Sequence, residues 1–128
     1  MTEAPTTHLP DSFRHIRLEL AREHGHPLGS ATHGYDLIAP LATDERLDAS
    51  VWKTHKDSCR VVRFKPDEDK KVGRLVRRPG GSWAFRFPDE DDESGYHFAQ
   101  ERFAPGEYVS VCADGGEHTF RVVAVGRL

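Results

Sequence analysis

PGEYVSVCADGGEHTFRVVAV, residues 105–125, decides the fold. Pro105-Gly106 is a turn that releases an extended run, 107–112, in which Val109 and Val111 alternate with Tyr108, Ser110 and Cys112. Asp114-Gly115-Gly116 then turns the chain into a second run, 117–125, and the pair predicts an antiparallel hairpin. In the second run Phe120, Val122 and Ala124 fall on one face, while Val123 and Val125 fall on the other. A strand apolar on both faces is expected to be covered on both, as in a closing barrel with a helix packed over it.

The same signals recur upstream. Ile16, Leu18 and Leu20 alternate with Arg17, Glu19 and Ala21, the period-2 pattern of a half-buried strand. Turn formers crowd residues 24–30, and a second strand over 35–39 halts at Pro40. Asp48 is a good N-cap for one short helix through about Lys56, with Val51, Trp52 and His55 on one side and Trp52 plugging an end of the sheet. Strands over 59–65 and 72–77 flank a charged turn, 67–70, and Pro79-Gly80-Gly81 turns into 82–87, where Trp83, Phe85 and Phe87 point the same way. The expected fold is mainly β: a small antiparallel barrel or rolled sheet of about seven strands with one short helix. Residues 13–128 form a single domain behind a disordered tail, 1–12.

Composition narrows the function classes without naming one. The chain has 128 residues, 37% hydrophobic and 30% charged, and a formal charge of −3 that excludes a globally basic nucleic-acid binder. Thirteen arginines against five lysines, with no asparagine, point to a GC-rich bacterial genome. Cys59 and Cys112 make no disulfide framework, and a bond between them requires their Cα atoms to lie within about 4.4–6.8 Å. The N-terminal stretch lacks the apolar run of a signal peptide and no segment reaches membrane-spanning length, so a cytoplasmic location and no membrane partner are expected.

Three features bear on chemistry. His24 and His26 stand on one side of an extended segment, and His33, with Asp36 close behind, follows a turn; such imidazoles suit a transition metal. The competing reading is a turn that collects polar residues. Next, residues 60–78 hold eight bases, Arg60, Arg63, Lys65, Lys70, Lys71, Arg74, Arg77 and Arg78, against three acids. If the two strands pair, Arg60, Arg63, Lys65, Arg74, Arg77 and Arg78 form a basic face for RNA or DNA, with Trp83 as a stacking surface. The plainer alternative is a solvated face whose charge is offset by an acidic loop folding across it. Lastly, the acidic run 89–93 lacks the spaced ligands of a calcium loop and reads as a solvated, mobile hairpin loop.

Nucleophile signatures are weak. Gly80-Gly81-Ser82-Trp83-Ala84 approaches a nucleophile elbow, but a strand rather than a helix follows Ser82. There is no Walker loop and no dinucleotide fingerprint, and no cofactor is implied.

Residues 103–109, FAPGEYV, resemble the F-x-P-G-Q-Y-V segment of the flavin-binding barrel in ferredoxin-reductase-like enzymes. The R-x-Y-S/T motif that follows in that family has no counterpart in Glu117-His118-Thr119-Phe120-Arg121, so the flavin is not implied. The stretch 103–125 also looks like the C-terminal half of PUA-like or ASCH-like barrels, which include RNA-binding modules; generic strand-turn chemistry transfers no binding residue. The whole chain, in Gly80–Phe85 and Pro105–Val111 above all, is similar to an uncharacterised family of small bacterial proteins, which implies no activity. The expectation is a non-enzymatic binding or interaction module, its partner unknown and protein among the candidates. A nucleic-acid-binding barrel and a metal-binding protein are the alternatives.

Overall fold

A computed structural model describes residues 9–22, 27–113 and 115–128. Among these residues the chain forms a closed antiparallel barrel in which each strand pairs with its neighbours in sequence and the last returns to the first. The strands are β1 (Phe13–Leu20), β2 (Ser30–Pro40), β3 (Arg60–Phe64), β4 (Lys71–Arg77), β5 (Trp83–Arg86), β6 (Glu93–Gly95), β7 (Tyr108–Ala113) and β8 (Gly116–Arg127). That is eight strands rather than about seven. The unexpected one is β6, which begins on the last residue of the acidic run and carries no apolar alternation to betray it. It meets β7 through a single residue pair, Ser94 opposite Cys112, so the ring has one thin seam.

Period-2 alternation fills the interior. Ile16 and Leu18 from β1, Tyr35 and Leu37 from β2, Leu75 from β4 and Phe85 from β5 are all at most 1% exposed, as are Val109, Val111 and Val122 from β7 and β8. The two-sided pattern of β8 has a different cause from the one expected. Leu18 pairs with Val122 and Arg17 with Ala124, so Val123 is an extra residue in a bulge. Beyond it the faces exchange: Val125 packs against the core and Ala124 is exposed. No helix is needed over this strand.

The helix instead closes one end of the barrel, between β2 and β3. It is α1 (Ala49–Thr54), and the Asp48 side chain accepts a hydrogen bond from the Val51 N–H, as an N-cap does. A 3-10 turn, Lys56–Ser58, carries the chain on to β3. Trp52 sets its ring edge-on to Trp83 at 5.4 Å and donates its indole N–H to the Leu75 carbonyl at 2.9 Å, which satisfies the polar atom of a buried ring. Phe98 and Phe103, from the long connection between β6 and β7, complete the plug. Residues 9–12, expected in the tail, are in place: Leu9 packs against the core and the Pro10 carbonyl accepts from the Phe13 N–H. Cys59 and Cys112 are free thiols. No helix among the described residues is long and apolar enough to cross a membrane.

Candidate binding face and the charged mouth of the barrel

Strands β3 and β4 do pair, with Arg60 opposite Arg74 and Arg63 opposite Lys71. The pleat then separates the predicted basic residues. Arg60 points outward, and Arg63, three positions on, points inward and is 6% exposed. Its guanidinium lies over the Phe87 ring at 4.4 Å and grips two carboxylates. Nη1 donates to Glu93 Oε2 at 2.5 Å and to Glu90 Oε1 at 3.0 Å, while Nη2 donates to Glu90 Oε2 at 3.0 Å. The Tyr35 hydroxyl donates to the other oxygen of Glu93 at 2.5 Å, and Lys71 Nζ reaches Glu90 at 2.8 Å. This cluster fills the mouth opposite the helix plug.

The acidic run is therefore not simply a solvated loop. Glu93 is 5% exposed and Glu90 turns onto Arg63 and Lys71. Asp92 pairs with Arg86 through two hydrogen bonds, 3.0 and 2.9 Å. The acids lie across the basic strands as counterions, which accords with the plainer of the two charge readings.

Hydrogen bonds from Arg63 and then Lys71 push the Glu90 carboxyl down to about 2 from 4.5. A folded-state pKa below the unfolded one gives stability that is complete above the unfolded value and lost as pH falls towards the folded one. Melting temperature should hold steady above about pH 5 and decline between pH 4.5 and 2, with Glu90→Gln flattening part of that decline. An acid limb identical in Glu90→Gln and the parent, measured by thermal melts across pH, would contradict this role for Glu90.

The outer surface of the same strands carries a different set. Arg60, Arg74 and Arg86 occupy one cross-strand row, Arg60 opposite Arg74 and Arg74 opposite Arg86. Arg74 meets the exposed Asp57 at 2.6 Å. The Arg60 side chain makes no hydrogen bond or ion pair among the described residues. The row lines an open groove of about 550 Å³ together with Val72, Phe87 and Pro88 and the acids Asp89, Glu90 and Asp92. Arg86 lies outside the 60–78 window that sequence reading singled out. Counting back across the Pro79-Gly80-Gly81 turn would have found it, because that turn sets the β4–β5 register.

The remaining predicted residues scatter. Lys65 follows β3. Arg77 stacks on Trp83 at 5.2 Å and Arg78 on Tyr96 at 5.5 Å. Trp83 is 2% exposed inside the barrel, so it offers no surface on which a base could stack. His24 and His26 lie outside the described residues. His33 stands on β2 with its ring edge-on to Phe120 at 5.8 Å. Among the described residues no three His, Cys, Asp or Glu side chains gather to hold a metal ion. Cys59 is buried, its thiol pushed up to about 12 by desolvation, which leaves it unreactive as a nucleophile. In comparisons with known proteins, no family model, curated protein or solved structure matches this chain.

Proposed function

We propose that this protein is a non-enzymatic binding module of a bacterial cytoplasm, and that it engages its partner through the outer face of β3, β4 and β5. The observation that supports this reading is the Arg60–Arg74–Arg86 row. The buried charges at the mouth are engaged with one another: Arg63 bonds Glu93 and Glu90, and Tyr35 bonds Glu93. The row is exposed and lines a groove. Although Asp57 and Asp92 pair with two of its arginines, Arg60 keeps its charge open to a partner, which suits recognition rather than turnover. A nucleic-acid partner retains Arg60, Lys65, Arg74, Arg77 and Arg78 but loses Arg63 and Trp83 to the interior.

A thermal-shift panel tests the reading: divalent metals, nucleotides, short RNA and DNA, and acidic and basic peptides, all at low salt. The expected result is stabilisation by an anionic class that fades with added salt and disappears in Arg60→Glu/Arg74→Glu, because only a ligand of the native state raises the melting temperature. Stabilisation by a transition metal alone would replace this reading with metal binding. No shift with any member would overturn it.

A further inference from the structure

We infer that the row Arg60, Arg74 and Arg86 docks an extended acidic segment of a partner protein whose charged residues alternate with apolar ones. This rests on the binding-module reading and names its partner.

Like charges set directly opposite one another weaken a sheet. Arg74 and Arg86 each have an aspartate, Asp57 and Asp92, but Arg60 adds a third positive charge to the row with no acid of its own among the described residues. A local rule broken with no compensation inside the fold marks a position kept for something outside it. Guanidinium forks match carboxylates through paired N–H donors, so carboxylates are fitting guests.

Spacing and chemistry extend the match. Neighbouring strands lie about 4.8 Å apart, so the row spans roughly 10 Å. Alternate residues of an extended peptide recur about every 6.8 Å on one side, so two or three acids at alternate positions cover it. Next to the row the outward pair is Val62 opposite Val72, and Val72 is 55% exposed. A basic row beside an apolar one is the complement of a segment that alternates Glu or Asp with aliphatic residues. A nucleic acid fits less well. Among the described residues the exposed Tyr and Trp rings, Tyr96 and Tyr108, belong to the β6–β7 side of the barrel and give this face no stacking platform. Asp57 and Asp92 also sit within the row, where a peptide with spaced charges can step past them and a continuous phosphate backbone meets their repulsion.

The test is fluorescence anisotropy at low salt with three labelled probes: a peptide alternating Glu with Val, one alternating Lys with Val, and a short oligo-uridine RNA. Arg60→Thr is the working variant, since threonine suits a strand and the Arg60 side chain makes no hydrogen bond or ion pair among the described residues. Arg121→Thr, on β8 across the barrel, is the control. The acidic peptide should bind, Arg60→Thr should weaken it about tenfold, and Arg121→Thr should leave it unchanged. Arg60→Thr should also melt no lower than the parent. A lower melting temperature would make Arg60 structural and overturn the inference, as would acidic-peptide binding that ignores Arg60. Binding of the RNA alone, sensitive to Arg60, would overturn the peptide partner and keep the binding-module reading. Silence from all three probes would overturn both.

Discussion

Arg63→Ala is expected to destabilise the barrel by about 3–5 kcal/mol, the usual cost of stranding the partner of a buried ion pair. Arg63 and Glu93 are 6% and 5% exposed, so removing the guanidinium leaves a buried carboxylate in the mouth whose one remaining hydrogen bond among the described residues is from the Tyr35 hydroxyl. Glu90 loses two of its hydrogen bonds at the same time and keeps Lys71. The pair itself need not stabilise the fold. Taking both charges out of water is costly, and Arg63→Met/Glu93→Leu is expected to be neutral or more stable by about 1–4 kcal/mol. Urea denaturation of Arg63→Met, Glu93→Leu and the double variant measures the coupling. If Arg63→Ala costs less than about 1 kcal/mol, water reaches Glu93 and the mouth is not sealed as described.

The other large effect lies at the opposite end. Phe98→Ala should cost about 3–5 kcal/mol, at the upper part of that range. The ring is fully buried and packs between Phe85 at 5.4 Å and Phe103 at 5.3 Å. Gly95 lies against it as bare backbone: a Cβ there would stand 2.5 Å from the ring. Glycine has no side chain to swing into the space left behind, so the cavity persists and its cost is felt in full. Chemical denaturation reads the loss directly. A cost below about 2 kcal/mol would mean that the 96–107 connection repacks without Phe98.

How much of this was legible depended on how local the deciding interaction is. The alternation in β1, the turn at Pro79-Gly80-Gly81, the cap at Asp48 and the plug at Trp52 are written within a few residues and were readable. Strand β3 was not. Its apolar residues, Val61, Val62 and Phe64, sit on both faces, and a preference for apolar residues inside would have pointed Arg63 at solvent. What turns Arg63 inward is a pair of glutamates 27 and 30 residues away, visible only once the barrel closes. Phe64 can stay outside because it is covered there: Arg17 stacks on it at 4.3 Å, and its ring lies over Gly34, where a Cβ would stand 2.9 Å from it. The bulge at Val123 and the three-residue β6 escaped for the same reason, since each is fixed by a partner strand rather than by its own composition. The candidate site was half visible. Arg60 and Arg74 fell in the basic window, while Arg86 and the loss of Trp83 to the core needed the register.

The one-pair contact between β6 and β7 gives the ring a place to breathe. Cut there, the remaining order runs β7, β8, β1, β2, β3, β4, β5, β6 as one uninterrupted sheet, with every other pairing intact. Opening the seam therefore gives up few backbone hydrogen bonds, whereas separating β1 from β2 or from β8 disrupts pairing along nearly the whole of β1. Local opening free energies in a folded protein scale with what must be broken, so the seam is the line along which the ring should open at least cost.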